Sequence, residues 1–167
     1  MGGVKIRTLV IYYSFEGMTE MVAKTIAKEL GGDLSGVIPK NKIETEKLMS
    51  YYWGGDRKVP ERSVPVEDLD KDPAGYDLIF IGTPVWAWSP APPVHSLLSG
   101  LDIAGKNIAL FATSEGDPGK VFSKMKEQLG DNRIIAQMEF VVRDPLDEFD
   151  IRKNAAAWAR KVSNKIK

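Results

Sequence analysis

Five times along this chain a run of apolar residues gives way to a stretch in which apolar positions return every three or four residues. The first run, Lys5 to Tyr13, lacks clean alternation, the pattern of a central strand covered on both faces. After it, Val22, Ala23, Ile26, Ala27 and Leu30 share one helical stripe, with Glu20, Lys24, Lys28 and Glu29 mostly outside it, and Gly31-Gly32 ends the helix. Asp33 to Ile38 contains Gly36 and is closed by Pro39, so it predicts a short edge strand. Thr45 to Trp53 predicts a short helix carrying Leu48, Met49, Tyr51, Tyr52 and Trp53. Gly54 to Pro73, rich in glycine, proline and charge, predicts an excursion over the surface.

The second buried strand is Leu78 to Gly82, followed by a long proline- and tryptophan-rich loop from Thr83 to Pro93. A helix opening at Pro92 or Pro93 then carries Val94, Leu97, Leu98 and Leu101. Asn107 to Thr113 is a third central strand, Ser114 to Gly119 a polar turn, and Val121, Phe122, Met125 and Leu129 the inner face of the next helix. Ile134 to Val142 is the last strand, and Asp147 to Ile166 the last helix. This alternation predicts an α/β fold, a doubly wound five-stranded parallel sheet with right-handed crossovers.

Length and charge narrow the picture. The 167 residues suit one well-buried domain spanning 1–167. Lys+Arg and Asp+Glu balance at 23 each, which argues against nucleic acid or an anionic membrane as the main partner. There is no cysteine and one histidine, His95, so disulfides, thiol catalysis and multi-histidine metal sites are set aside. His95 falls on the first turn of the third helix, where a surface or capping role is expected. The N-terminal residues carry no hydrophobic core of a signal peptide, no apolar run approaches membrane-spanning length, and the expected compartment is the cytoplasm.

The candidate chemistry sits where the first strand meets the first helix, at Ser14-Phe15-Glu16-Gly17-Met18-Thr19. The first N–H groups of a helix lack partners and carry the positive end of its dipole, so an anion binds well there. Ser14 and Thr19 offer hydroxyls, and Gly17 lets the backbone approach closely. The same residues also fit an ordinary turn with Thr19 as N-cap.

The pattern Ser14-x-x-Gly17-x-Thr19 in this position resembles the phosphate-binding loop of the flavodoxin family, which holds the terminal phosphate of FMN. That resemblance implies the strand order 2-1-3-4-5, with a crevice lined by the loops after strands one, three and four. Those loops are Ser14 to Thr19, Thr83 to Pro93 and Ser114 to Gly119. The segment Gly82 to Pro93 is similar to the family segment in which an aromatic side chain meets the flavin ring, which implies Thr83, Pro84, Val85, Trp86, Ala87 and Trp88 as cofactor-binding residues and Trp86 or Trp88 as the ring contact. Ala112-Thr113-Ser114-Glu115-Gly116-Asp117 resembles the segment that runs along the other edge of the ring, and Thr113, Ser114, Glu115 and Gly116 are the cofactor-binding residues that this implies.

Three departures stand out. Glu16 occupies a place usually held by a small or hydroxyl residue, so its carboxylate is expected to turn outward. Electron-transferring members commonly place a glycine peptide beside the ring; Ala87 stands there, and its reluctance to take a positive φ argues against specialisation for one-electron transfer. No tyrosine follows the third central strand, so one ring face is open or covered by Tyr51, Tyr52 or Trp53.

The resemblance implies an FMN-binding electron-transfer protein working between a reductase and an acceptor. The alternative is an FMN-dependent NAD(P)H:quinone-type oxidoreductase on the same fold. A flavin-free signalling module would need acidic residues after the first and third strands, and Tyr12-Tyr13-Ser14 and Gly82-Thr83-Pro84 supply none.

Overall fold

The longest runs of uninterrupted apolar side chains form the middle of the sheet. In the computed structural model, which describes residues 5–53 and 64–167, these are β1 (Thr8–Tyr12), β3 (Leu78–Trp86) and β5 (Asn107–Ser114). Leu9 to Ile11, Leu78 to Ile81 and Ile108 to Ala112 are all fully buried, because helices cover both faces of the sheet. The edges are β2 (Asp33–Gly36) and β6 (Arg133–Val141), and the order is β2-β1-β3-β5-β6 with every neighbouring pair parallel. A sixth strand, the two-residue β4 (Ser89–Pro90), pairs antiparallel with the end of β3.

Side-chain alternation divides the core in two. Leu9, Ile11, Ile79, Ile81, Ile108 and Leu110 point to the face covered by α3 (Pro92–Gly100) and α4 (Val121–Leu129). Val10, Leu78, Phe80, Ala109 and Phe111 point to the other face, under α1 (Met18–Leu30) and α5 (Glu148–Asn164). The remaining helix, α2 (Lys42–Trp53), opens three residues earlier than its apolar positions predict, where Asn41 accepts the Glu44 N–H through its side chain.

Two stretches differ from the sequence expectation. Proline content predicts a loop from Thr83, yet β3 continues to Trp86 because Thr83 and Pro84 stay in register with Ala112 and Thr113 of β5. The expected surface excursion from Gly54 to Pro73 lies partly outside the described residues, and its later part is tied down. Pro39 bridges Val66, the Lys40 N–H donates to the Pro65 carbonyl, and Val64 is buried. Pairing between segments this far apart has no local sequence signal.

Gly82 of β3 pairs with Tyr12 of β1 on one side and Phe111 of β5 on the other. A β-carbon on Gly82 would fall 2.0 Å from Cζ of the fully buried Phe111, whose ring meets Phe140 and Trp158 edge-on. Overpacking of this kind costs about 1–3 kcal/mol. Gly82→Ala is therefore expected to lower the unfolding free energy by that amount, read as a lower urea midpoint with little change in slope, and an unchanged midpoint would show that the Phe111 cluster yields freely.

Candidate functional site

The carboxyl ends of β1, β3 and β5 open into one cleft of about 600 Å³, a size usual for small-molecule sites. It lies between β1 and β3, where the chain leaves the sheet in opposite directions, the place where open parallel sheets bind ligands. All three loops singled out in the sequence meet there. Ser14, Phe15, Glu16, Met18 and Thr19 form one side, Pro84 to Trp88 a second, and Thr113 to Gly116 a third. Asp117, from the third of these loops, and Val142 also line it, and sequence reasoning missed Val142.

The first loop is built around a helix start with no side-chain cap. Gly17, rather than Thr19, is the N-cap of α1, and its carbonyl accepts the Met21 N–H at 3.0 Å. The Ser14 hydroxyl accepts the Gly17 N–H at 3.1 Å, which leaves its hydrogen for a ligand. Thr19 is buried, and its hydroxyl pairs with that of Thr113 at 2.7 Å, locking the first loop to the third. Gly17 itself does not line the cleft, and Glu16 is exposed at the rim.

The second side is a hairpin, not an open loop. Thr83 is fully buried behind the wall, donating to the Pro84 carbonyl at 2.9 Å and accepting the Ala91 N–H at 3.0 Å, so it holds the wall without facing a ligand. Trp86 is 6 % exposed and meets Phe15 edge-to-face at 5.5 Å, forming the inner apolar surface, whereas Trp88 is 42 % exposed at the rim. Between Trp86 and its partner Ser89 the chain turns through Ala87 and Trp88 at φ 47° and 60°. Each left-handed, non-glycine residue costs of order 1 kcal/mol. The expectation that Ala87 avoids a positive φ is therefore overturned: the turn imposes it, and the argument against one-electron transfer drawn from Ala87 falls with it.

On the third side the Ser114 hydroxyl accepts the Gly116 N–H at 3.1 Å, and the Ser114 carbonyl accepts the Val142 N–H at 2.8 Å. The charged residues in the lining, Glu16, Glu115 and Asp117, are all acidic. An anion held here therefore depends on N–H groups, hydroxyls and the α1 dipole. The side chains of Tyr51, Tyr52 and Trp53, considered as a cover for the ring, lie outside the described residues. His95 is exposed, with its carbonyl accepting from Ser99 and Gln128. Among the described residues no cluster is arranged to hold a metal ion, and no helix is long and apolar enough to cross a membrane.

A family profile described as Flavodoxin matches residues 7–139. Among solved structures, the chain is similar to a flavoprotein from Lactobacillus acidophilus NCFM determined in complex with FMN, at 28 % identity over 80 % of this chain and 93 % of that one, with a TM-score of 0.63. A flavodoxin, WrbA-like protein from Agrobacterium tumefaciens shares the fold at 15 % identity, covering 95 % of this chain and 98 % of that one, TM-score 0.60. Oxidised Flavodoxin 2 from Bacillus cereus does so at 20 % identity, covering 93 % and 99 %, TM-score 0.52. No curated protein matches the sequence.

Tyr13, at the base of the first loop, is 7 % exposed, and burial together with the nearby Glu46 carboxylate pushes its phenol up to about 12. Tyr12 is also raised, chiefly by burial and then by Glu20. In the unfolded chain a tyrosine ionises near 10. The stability that comes from keeping Tyr13 neutral is thus complete below pH 10 and is lost as the pH climbs from about 10 to about 12. Urea unfolding across that window is expected to show a steep fall, shallower in Tyr13→Phe; equal slopes would mean that the phenol titrates normally.

Proposed function

The chain belongs to the flavodoxin family, and from that premise we propose that it binds FMN and transfers electrons between a reductase and an acceptor protein. The observation that carries the reading is the convergence of an uncapped helix start, a hydroxyl pair and an apolar aromatic wall in one cleft, at the switch point of the parallel sheet.

The residues fit the cofactor end to end. The N–H groups at the start of α1, with the Ser14 hydroxyl, suit the phosphate without any lysine or arginine. Phe15, Met18, Pro84, Val85, Trp86 and Trp88 suit a flat, largely apolar ring, and the backbone of Thr113 to Gly116 borders its remaining edge. When bound, the flavin supplies the redox chemistry, and the protein contributes binding, orientation and the surrounding field. In that field the three carboxylates of Glu16, Glu115 and Asp117, over apolar walls, outnumber the guanidinium that stands beside Gly116, that of Arg143. Such a setting disfavours additional negative charge, so it lowers the potential of full reduction.

The redox partners belong to the proposal, as does a cytoplasmic setting beside the reductase that charges the carrier. No observation favours the NAD(P)H:quinone oxidoreductase alternative.

Titration of the protein with FMN tests the reading. Binding in the micromolar range or tighter is expected, about 8 kcal/mol, with riboflavin at least about tenfold weaker because it lacks the phosphate. Absence of flavin binding sinks the proposal. Sustained NADH or NADPH oxidation with a quinone, above that of free FMN, turns it toward the reductase.

A further inference from the structure

The turn at Ala87 and Trp88 is held from outside its own hairpin. Its two positions take φ 47° and 60°, where a two-residue hairpin turn ordinarily carries asparagine and glycine. The supporting strand β4 is only two residues long and ends in proline, so the ladder gives little help. The segment before α4 gives more. The Trp88 carbonyl accepts the Lys120 N–H at 2.9 Å, and the Trp88 indole N–H donates to Asp117 Oδ2 at 3.0 Å. The other oxygen of the same carboxylate accepts the Gly119 N–H at 2.9 Å, so one side chain fastens both the tryptophan and the loop beneath it. Gly119 has φ 52°, and a β-carbon there would lie 2.3 Å from the Trp88 β-carbon. Only glycine allows the two loops to approach this closely. One residue further along, the Lys124 ammonium donates to the Ser89 hydroxyl at 2.6 Å, and the brace thus runs from the turn into α4.

Strained backbone persists only where its surroundings over-determine it, and here the strained residues line the cleft. We propose that Asp117 and Gly119 are positioning residues for the cofactor site, holding the Ala87–Trp88 turn in its left-handed form so that the aromatic wall is set before the cofactor arrives. This rests on the FMN reading and goes beyond it by giving two residues of the third loop the task of holding the second loop in shape. A wall already fixed spares the ligand the ordering of two large side chains, which shows as tighter binding without a new contact to the ligand. Loosening the brace therefore weakens FMN even though Gly119 does not line the cleft.

The test is a double-mutant cycle between Gly119→Ala and Ala87→Gly, with amide exchange in the apoprotein and FMN affinity as readouts. Gly119→Ala is expected to speed exchange at Ala87 to Ser89 at least tenfold, leave the amides of β5 unchanged, and raise the FMN Kd about tenfold. In the Ala87→Gly background the same change is expected to raise Kd only about threefold, because glycine at 87 takes a positive φ without support and leaves Trp88 as the one strained residue of the turn that the brace must hold. Asp117→Glu, which keeps the charge in the cleft while displacing the carboxylate from the Trp88 indole and the Gly119 N–H, is expected to repeat the pattern. Equal losses of affinity in both backgrounds, or an unchanged Kd with folded protein, overturn the proposal. Failure of the unaltered protein to bind FMN overturns the functional reading itself, and the positioning role with it.

Discussion

Every feature of the cleft depends on β3 lying between β1 and β5 with all three strands ending at the same edge. Parallel pairing carries that condition, because it brings the carboxyl ends of strands distant in sequence to one level. Tyr12 is set opposite Gly82, and Pro84 opposite Thr113. The buried contact of Thr19 with Thr113 at 2.7 Å is possible only in that register. A slip of one residue would reverse the faces of Phe80 and Ile81 and separate the two hydroxyls, so core packing and site geometry are specified by the same pairing.

Anion binding without a cation follows from this arrangement. The start of α1 is delivered to the cleft floor by β1, and with Gly17 as N-cap no side chain competes for the first N–H groups. A lysine in the lining would bind phosphate as well, but it would also favour a reduced, negatively charged ring. The acidic residues present, Glu16, Glu115 and Asp117, act in the opposite sense. On the proposed FMN reading, phosphate recognition falls to backbone and dipole and the field at the ring to the side chains around it.

The buried strands were legible because helices cover both faces of the sheet, which leaves an uninterrupted apolar run in Leu9 to Ile11, Leu78 to Ile81 and Ile108 to Ala112. The cleft residues were legible to the extent that they follow directly on those runs, which is why Ser14 to Glu16, Met18, Thr19, Pro84 to Trp88 and Thr113 to Gly116 were found. Thr83 was misplaced because its hydroxyl satisfies the backbone of Pro84 and Ala91, a role that only the folded hairpin creates. The hairpin itself was hidden by its own composition. Proline and tryptophan read as loop, and neither Ala87 nor Trp88 announces a left-handed turn. Asp117 and Gly119 resemble any polar turn until the tryptophan they hold is known to stand above them.

That last point concerns where local preference yields to tertiary structure. A glycine at position 87 would take the observed φ unaided and would leave the turn free to sample others. Alanine takes it only under compulsion, and compulsion comes from contacts that also restrict Trp88. A turn whose residues resist their conformation is therefore held more narrowly by its brace than a compliant one would be, since few alternatives remain once the brace is engaged. For a cleft that must present an aromatic wall to a rigid, flat ligand, restriction has value, and the strain at Ala87 and Trp88 is the local cost of a site that does not need to reorganise when it is filled.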